Sequence, residues 1–380
     1  MSKWAGKYVI GVTGNIATGK SVVRKMLEHM GAYGIDADAL GHRAIAKGAP
    51  GYQPVLELFG KWVLTPDEQI DRSKLARIVF NNPETLPELE KIVHPLVTQA
   101  IDLIIRRASQ PVIVIEAIKL IEAGLNKDCD NIWVSFAPPE IQLSRLILSR
   151  HMNEAESRSR MASQPPQERK LAVADVIIKN VGTYEETWRQ VVAAWQKHVT
   201  TAETISPAPV VKATIPQGEM TITRGKPRNS SEIAQFMNRF QKNSRSLKQD
   251  DIMAAFGEKA FLLLQLGQKL MGVIGWQVEN LVARTTDILI DPNLPANQAL
   301  PVLINEMERA SRDLQCEASL IFVPSELARL DTLWQSLGYE RRAPHALGIL
   351  AWQEAAAEST IPDTTLFFKQ LRVDRILRPI

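Results

Sequence analysis

The sequence has little cysteine, no long apolar run and almost no net charge, and each shortage excludes a class of protein. Only Cys129 and Cys316 occur among 380 residues, far apart and without metal-ligand spacing, so a disulfide framework and a cysteine-based metal site are not expected. No apolar run approaches the roughly 20 residues of a membrane-spanning helix, and the N-terminus has no signal-peptide pattern. The net charge of +3 gives no reason to expect a nucleic-acid partner. We therefore expect a cytoplasmic protein with reduced thiols and no membrane contact.

One short motif stands out among what is present: residues 14–21 read GNIATGKS and match the pattern G-x-x-x-x-G-K-[ST] of phosphate-binding loops. An apolar run enters the motif and a helix-like segment leaves it, which is the context that such a loop needs. Inward-facing N–H groups and the start of the helix would attract a polyphosphate. We expect Lys20 to contact the β- and γ-phosphates and the Ser21 hydroxyl to bind Mg²⁺. The residues predicted to bind nucleotide here are Gly14, Asn15, Ile16, Ala17, Thr18, Gly19, Lys20, Ser21 and Val22.

Strand and helix patterns alternate through the first two hundred residues. Short apolar runs at 112–115, 132–136 and 176–178 are typical of strands buried on both faces, and helical patterns at 85–107 and 139–150 lie between them. This alternation predicts an α/β domain with a doubly wound parallel sheet, which we place at residues 1–199. Ligands of such folds bind at the carboxyl ends of the strands, where the glycine-containing loop lies.

The composition changes after this domain. Residues 200–218 carry three prolines among Thr, Ala and Val, and we interpret them as an extended linker. A second α/β pattern follows at 219–355, and a basic, apolar tail at 356–380 is expected to dock on its own domain or to bind a partner or an anionic surface. The elements predicted in the second domain include a hairpin at 260–266 and 270–278, strands at 220–223, 286–290 and 319–323, and helices at 231–240, 248–256, 299–314 and 327–337.

Carboxylates follow the second and third predicted strands of the first domain. Asp36 and Asp38 end the second strand, where one can accept the proton of an incoming hydroxyl while the other caps a helix. Glu116 ends the third strand, in the position of the acid that holds a magnesium-bound water in phosphate-loop enzymes. A salt bridge to Lys119 is the structural alternative for Glu116. We predict that one of Asp36 and Asp38 is the general base, that Asp36 and Glu116 lie on the substrate side, and that Glu116 and Ser21 are metal ligands.

Arginines cluster after the fourth predicted strand. Planar guanidinium groups can stabilise the charge that phosphoryl transfer spreads over the phosphate oxygens. We interpret the segment as a helical lid that closes over the nucleotide and excludes water. A solvated helix face is the alternative, above all for Arg158 and Arg160. The cluster consists of Arg145, Arg150, Arg158, Arg160 and Arg169.

Further pieces extend the pattern through the whole first domain. In order they read GVTGNIATGKS (11–21), GIDADALGHRAI (34–45), KGAPGYQPVLELFG (47–60), DRSKLARIVFNNPE (71–84), LEKIVHPLV (89–97), IEAGL (121–125), QLSRL (142–146), RMASQPPQERK (160–170) and ADVIIKN (174–180). Together they resemble bacterial dephospho-CoA kinases. That family transfers the γ-phosphoryl group of ATP to the ribose 3′-hydroxyl of dephospho-CoA and so completes coenzyme A. The resemblance implies ATP and Mg²⁺ as cofactors and dephospho-CoA as substrate.

The resemblance also implies roles for single residues. Asp38 matches the base for the 3′-hydroxyl, His94 lies in the acceptor-binding helical region, and Arg145 matches a catalytic arginine of the phosphate clamp. The nucleotide-side positions that it adds are Arg150, Asn180 and the stretch 158–170. The chain departs from the family where a proline and a leucine are replaced by Ile118 and Lys119, and where Lys179 replaces an aspartate. These changes remove no group that we assign to catalysis, and they bear on acceptor binding.

The strand order of residues 220–352 resembles the acyl-CoA-dependent N-acetyltransferase (GNAT) fold, with a mostly antiparallel sheet. That family binds the CoA pyrophosphate with backbone N–H groups of a glycine-containing loop at a helix N-terminus. The corresponding residues 292–301 read PNLPANQALP, which contains no glycine, and Pro295 lacks an N–H. We therefore predict a non-catalytic structural or interaction module, with CoA sensing and active acetyl transfer as alternatives.

Two other functions are open for the whole chain. One is a phosphate-loop ATPase or switch, or an inactive kinase, whose C-terminal domain is the effector. The sequence Asn126-Lys127-Asp128 comes near a guanine-reading motif, but it lacks the Asn-Lys-x-Asp spacing and precedes a strand. The other is a bifunctional kinase and acetyltransferase, which the glycine-free loop argues against.

Overall fold

The structure is a computed structural model that describes residues 3–82, 84–150, 152–199, 211–215, 218–240, 246–279 and 281–373. The chain divides into two compact units. Of the described residues, the first unit contains 3–20 and 33–181, and the second contains 21–32 and 182–373. Each unit has its own β-sheet. In the part of the chain that the structure describes, no helix combines the length and the apolar character that crossing a membrane requires.

Five parallel strands form the sheet of the first unit, in the order β2-β3-β1-β4-β5. They are β1 (Tyr8–Thr13), β2 (Tyr33–Asp36), β3 (Val112–Glu116), β4 (Asn131–Phe136) and β5 (Val176–Lys179). Strand β1 is central, with β3 and β2 on one side and β4 and β5 on the other, so the loop after β1 lies where the strand order reverses. Open α/β sheets bind their ligands at that point. The predicted α/β fold with a parallel sheet is confirmed.

The central strands read as continuous apolar runs because neighbours cover both of their faces. All five residues of β3 are buried, and Val9, Ile10 and Val12 of β1 are completely inaccessible. The edge strand β5 alternates instead, with Val176 and Ile178 buried and Ile177 and Lys179 exposed. The buried centre of the sheet is therefore a rigid base for the loop that leaves β1.

The helices of the N-terminal half lie between these strands and after them. They are α1 (Lys20–His29), α2 (Ala37–Ala44), α3 (Tyr52–Phe59), α4 (Arg72–Asn81), α5 (Thr85–Arg107), α6 (Pro139–Leu148), α7 (Glu154–Ala162), α8 (Gln167–Leu171) and α9 (Tyr184–His198). Side-chain caps begin several of them: Asp36 accepts from the N–H of Ala39, and Asp71 accepts from the N–H of Lys74. Helix α5 has the bounds that its apolar periodicity predicts, although it contains Pro95.

Eight strands form the sheet of the second unit, in the order β12-β13-β11-β10-β9-β8-β7-β6. They are β6 (Val211–Ile215), β7 (Gly218–Arg224), β8 (Ala260–Leu266), β9 (Lys269–Glu279), β10 (Val282–Ile290), β11 (Ala318–Pro324), β12 (Glu340–Arg341) and β13 (Thr364–Gln370). The pairs are antiparallel except β10 with β11, which is parallel. That parallel pairing joins residues 282–285 to 318–321 and does not extend along the later residues of β10. The sheet is thus mixed and mostly antiparallel, as predicted.

Two segments that the sequence placed outside the second domain belong to this sheet. Strand β6 falls within the predicted linker and pairs with β7, and residues 200–210 and 216–217 of that linker lie outside the described chain. Strand β13 falls within the predicted tail, where it pairs with both β11 and β12. Residues 374–380 of the tail also lie outside the described chain.

The helices of the C-terminal half are α10 (Ser230–Phe240), α11 (Gln249–Ala255), α12 (Ala296–Asp313), α13 (Ser325–Ala328), α14 (Asp331–Ser336) and α15 (Leu350–Glu358). Several of them pack on this sheet, namely α10, α12, α13 and α15. The single helix predicted at 327–337 is wrong, because Leu330 has a ψ of 55° that separates α13 from α14. An aromatic cluster of Trp334, Tyr339 and Phe367 fills the core, and the Tyr339 hydroxyl donates to Ser319 Oγ at 2.9 Å.

Residues 21–32, which are α1 after Lys20 and the three residues that follow the helix, belong to the second unit. Lys25 Nζ donates to the carbonyl of Val278 at 3.1 Å, and His29 Nε2 donates to the carbonyl of Phe256 at 2.7 Å. The His29 ring also meets Phe256 edge to face. Burial lowers the pKa of His29 to about 4, against the opposing effect of the bond to Phe256, so the ring is neutral at neutral pH.

Candidate active site

The loop after β1 adopts a conformation that requires two of its glycines. Gly14 has a φ of +150°, and a Cβ there would lie 2.3 Å from the carbonyl oxygen of Ser135. Gly19 has a φ of +93°, and a Cβ there would lie 1.8 Å from Asn180 Nδ2. Both φ values favour glycine, and at both positions a Cβ would overlap a neighbouring atom. The loop therefore curls tightly against β4 and the end of β5 before α1 begins.

Bonds inside the loop hold its curl. Thr18 Oγ1 and Lys20 Nζ both donate to the carbonyl of Asn15, at 2.8 and 3.2 Å. Lys20 is only 7% exposed. Burial lowers the pKa of Lys20, and the negative charges of Glu116 and Asp38 oppose that shift. The ammonium group thus lies inside the loop and within the field of two carboxylates, as a phosphate-binding lysine requires.

Side chains from β4, α6 and the end of β5 bind the outer carbonyls of the loop. Ser135 Oγ and Asn180 Nδ2 donate to the carbonyl of Thr18, at 2.7 and 3.0 Å. Arg145 donates from Nη1 to the carbonyl of Ala17 at 3.1 Å and from Nη2 to the carbonyl of Asn180 at 2.9 Å. Carbonyls held outward leave the loop's N–H groups facing inward, toward an anion. Arg145 and Asn180 therefore shape the loop, and direct contact of either with phosphate stays a prediction.

The segment between α7 and α8 also reaches the loop. Gln164 Oε1 accepts from the N–H of Ile16 at 2.8 Å, and Asn15 Nδ2 donates to the carbonyl of Pro165 at 3.0 Å. The glutamine oxygen therefore takes the position of an acceptor on a loop N–H. A phosphate oxygen can replace it there, since both are hydrogen-bond acceptors.

The predicted carboxylates meet at the carboxyl ends of β2 and β3, where Asp36 and Glu116 are register partners. Asp36 caps α2, as the capping alternative predicted. Asp38 lies in the first turn of α2, and its Oδ2 accepts from the N–H of Ile118 at 3.1 Å. Burial raises the pKa of Asp38 above its ordinary value, while the Ile118 N–H and the charge of Lys20 oppose the rise. A carboxylate with a raised pKa is a stronger base, which suits proton abstraction.

Glu116 is buried, with 4% of its surface exposed, and lies between the ends of β1 and β2 in the sheet. The salt bridge considered for it does not use Lys119, because Lys119 Nζ contacts Glu90 Oε1 at 2.6 Å. The charge of Glu116 acts on both Lys20 and Asp38. Its place beside the loop fits the predicted metal-side carboxylate, and metal binding itself stays a prediction.

Two members of the arginine-rich segment lie at the surface. Arg158 and Arg160 are exposed and pair with glutamates one helical turn earlier, Glu154 and Glu156, each at 2.7 Å. Such i,i+4 surface pairs fit the solvated-face alternative, and a role of these arginines in a lid stays a prediction. Arg150 differs, because its charge acts on Lys20 and lowers the pKa of that lysine. Arg150 therefore lies near the loop, and its role in nucleotide binding stays a prediction.

His94 and Arg169 are not brought to the loop by any described contact. His94 lies in α5 directly before Pro95, on the helix whose Val93 and Val97 face Gly41 of α2. Helix α2 also carries Asp38, so the predicted acceptor-binding region and the predicted base belong to packed helices. The role of His94 in binding the acceptor stays a prediction.

Sequence reasoning missed one buried charged residue near this site. Lys170, at the end of the matched stretch 160–170, is 1% exposed, and its Nζ donates to the carbonyl of Ile118 at 2.7 Å. A five-residue helix has too few positions to reveal which face is buried. The sequence offers one signal for Lys170, namely its place in the stretch 160–170 that matches the family. That stretch was assigned to the lid as a whole, so the lysine was not singled out.

In the second unit, the glycine-free loop lies between β10 and α12, after the parallel strand pair. Pro295 occupies the N-cap position of α12, and no side chain caps the helix. Asp291, 2% exposed, accepts from the N–H and Nδ2 of Asn293 at 3.0 and 2.8 Å. Burial alone would raise the pKa of Asp291, but the bonds from Asn293 outweigh it and lower the pKa. Asp291 already takes the N–H of Asn293, and its charge is offset in part by Lys269 Nζ at 3.8 Å.

Comparison with known proteins gives a consistent match for the N-terminal half. The family model described as dephospho-CoA kinase matches residues 8–186. The dephospho-CoA kinase of Geobacter metallireducens is 43% identical over 194 residues, which cover 50% of this chain and 96% of that protein. The dephospho-CoA kinase of Carboxydothermus hydrogenoformans is 41% identical over 192 residues, covering 50% of this chain and 93% of that protein. A GNAT-family acetyltransferase structure from Streptococcus pneumoniae is 14% identical with a TM-score of 0.31, and the match covers 40% of this chain and 98% of that one.

Proposed function

This chain belongs to the dephospho-CoA kinase family, and on that premise we propose that its N-terminal region phosphorylates the ribose 3′-hydroxyl of dephospho-CoA with ATP. The products are coenzyme A and ADP. The observation that carries the proposal is the meeting of a curled GKS loop, a buried lysine and two carboxylates at the carboxyl end of one parallel sheet. A kinase acting on a hydroxyl needs these parts: a phosphate cradle, a charge for the γ-phosphate and a base.

The phosphate cradle is built from the loop's own backbone. Because Arg145, Asn180 and Ser135 hold the outer carbonyls, the N–H groups face the nucleotide without a change of fold. Lys20 would exchange its bond to the Asn15 carbonyl for the β- and γ-phosphate oxygens, and Gln164 would release the N–H of Ile16. Binding thus replaces existing acceptors by phosphate oxygens, so few new N–H groups need to be desolvated.

The acceptor hydroxyl is activated by Asp38 in this proposal. Its carboxylate takes the hydroxyl proton as the oxygen forms a bond to the γ-phosphorus, while the bond from that phosphorus to the β,γ-bridging oxygen breaks and ADP leaves. The raised pKa of Asp38 supports this role, and the Ile118 N–H holds one carboxylate oxygen while the other can accept the proton.

We assign Mg²⁺ to Ser21 and Glu116. Within the described residues there is no cluster of three or more His, Cys, Asp or Glu able to hold a metal. Mg²⁺ at nucleotide sites needs no such cluster, since one or two protein oxygens, the phosphates and water complete its shell. Bound Mg²⁺ would neutralise charge on the phosphates. The hydroxyl and the buried carboxylate are oxygen donors of the kind that this cation prefers.

The second region, residues 219–355 together with the flanking strands β6 and β13, is proposed as a GNAT-like module without acetyl transfer. The support is the loop before α12, in which Pro295 lacks an N–H and Asp291 already takes the N–H of Asn293. We propose the first region, 1–199, as the kinase and keep the cytoplasm as the predicted location.

The product of the reaction tests the proposal. Full-length protein is mixed with ATP, Mg²⁺ and dephospho-CoA, and coenzyme A is measured by mass spectrometry. The Asp38→Asn variant should lower kcat by about 10²–10⁴-fold while the Kd for ADP stays within about twofold. Asp250→Asn, at an exposed position of α11, is the matched control and should leave kcat unchanged. No coenzyme A from wild-type protein that binds ADP would overturn the proposal in favour of a switch or an inactive kinase.

A further inference from the structure

Lys170 is buried although it lies on a helix of five residues near the surface of the first unit. Its exposed fraction is 1%. Lysine is almost never buried to this extent without a partner, because removing its charge from water is costly. The contacts that Lys170 makes inside the fold therefore indicate the role of this buried charge.

Those contacts lead to Ile118, in the turn that follows β3. Lys170 Nζ donates to the carbonyl of Ile118 at 2.7 Å, and Thr13 Oγ1 donates to the same oxygen at 3.2 Å. The N–H of Ile118 donates in turn to Asp38 Oδ2 at 3.1 Å. The backbone of Ile118 is thus held on its carbonyl side by Lys170 and Thr13, and on its N–H side it holds the carboxylate of Asp38.

The charges around Lys170 couple it to the same site. Burial lowers the pKa of Lys170, while the carboxylates of Glu122 and Asp38 oppose that shift. In the other direction, the charge of Lys170 opposes the rise in the pKa of Asp38. These effects agree with the hydrogen bonds, through which Lys170 and Asp38 both contact the backbone of Ile118.

We propose that Lys170 is a positioning residue for phosphoryl transfer, holding the backbone of Ile118 so that its N–H fixes the carboxylate of Asp38. The inference rests on the proposed function. Residue 118 lies in a turn, outside both helices and strands, so its orientation depends on these side-chain bonds. A base displaced by about 1 Å can lose on the order of 10²-fold in rate, so a firm hold on this turn matters for catalysis.

A double-mutant cycle separates action through Asp38 from any other role of Lys170. In full-length protein, Lys170→Met should lower kcat for coenzyme A formation by about 10–100-fold, with the Kd for ADP within about twofold. In the Asp38→Asn background the same change should lower the residual turnover by less than about twofold, because the group being positioned is gone. Lys127→Met, at an exposed position, is the control and should match wild type.

A second variant covers the case in which Lys170→Met does not fold. Thr13→Val removes the other donor to the Ile118 carbonyl, and it should lower kcat in the same direction by a smaller factor. The inference is overturned if Lys170→Met or Thr13→Val folds with wild-type kcat. It is also overturned if the loss of turnover is equal in the Asp38→Asn background, or if ADP affinity falls in step with kcat. Failure of wild-type protein to make coenzyme A is a separate result, which refutes the proposed function itself.

Discussion

Replacing Gly19 by alanine should damage the phosphate-binding loop more than the small size of a methyl group suggests. The new Cβ would lie 1.8 Å from Asn180 Nδ2 and 3.1 Å from its Cγ, well inside contact distance. Asn180 cannot simply rotate away, because Nδ2 donates to the Thr18 carbonyl at 3.0 Å and is buried. The methyl group therefore competes directly with a bond that shapes the loop.

Two terms set the magnitude. Alanine at a φ of +93° costs about 1–2 kcal/mol, the usual penalty for a side chain in this region. Losing the bond from Asn180 to Thr18 costs about 1–3 kcal/mol, since the partners stay buried. The sum is about 2–5 kcal/mol. Even the lower end weakens ADP binding by about 30-fold if the nucleotide requires the native loop, because about 1.4 kcal/mol is tenfold in affinity.

The assay is calorimetric titration of ADP, with thermal unfolding as a check on the fold. Gly48→Ala is the matched control: its φ is +78° and a Cβ there meets nothing within 4 Å, so it carries the backbone penalty alone. Gly48→Ala should leave the Kd for ADP within about twofold, and adding Asn180→Ala to Gly19→Ala should recover part of the lost stability. Equal effects of the two glycine replacements would refute the role of Asn180 in this loop.

Three further predictions follow from the contacts. Arg158→Ala together with Arg160→Ala should change kcat by less than about twofold, because both side chains form exposed surface pairs; a large loss would restore the lid. Arg145→Gln should weaken ADP binding about 10-fold or more by freeing the carbonyl of Ala17, and an unchanged Kd in calorimetry would contradict this. The pKa of His29 is about 4 in the folded protein and about 6.5 in the unfolded chain. As the pH falls, the unfolded chain therefore binds a proton before the folded protein does, and the free energy of unfolding should decrease by up to about 3 kcal/mol between pH 6.5 and 4. Denaturant titrations across this range should show a flatter pH profile for His29→Gln than for wild type.

The parallel sheet could be predicted because its central strands carry a signal that does not depend on distant partners. A strand covered on both faces, such as β3, is apolar at every position and ends abruptly at Glu116. The loop could be predicted as well, because its glycines adopt positive φ at positions 14 and 19 and stand at fixed spacing in the sequence. The contacts of these glycines with Ser135 and Asn180 could not be predicted, since both partners are distant in the sequence.

Features that depend on distant partners were harder to predict. Whether Asp36 or Asp38 caps α2 depends on which carboxylate meets Ile118, some eighty residues away. The burial of Lys170 likewise follows from the turn after β3, and the sequence of α8 does not reveal it. Strands β6 and β13 pair with β7 and with β11 and β12 near the two edges of the second sheet, so residues with the composition of a linker and a tail belong to the sheet.

The surface pairs of α7 could be predicted from the sequence. Glu154 and Glu156 precede Arg158 and Arg160 by four residues, the spacing of surface ion pairs on a helix. That signal was present in the sequence, and it favoured a solvated face over a lid.

The fate of the γ-phosphoryl group tests the central claim most directly. Full-length protein is incubated with ATP labelled at the γ-phosphate, Mg²⁺ and dephospho-CoA, and the label is separated into coenzyme A and inorganic phosphate. The account predicts label in coenzyme A in equal amount to the ADP formed, with little ATP consumed when the acceptor is omitted. Label in inorganic phosphate at the same rate with and without dephospho-CoA would contradict it, and would identify an ATPase instead.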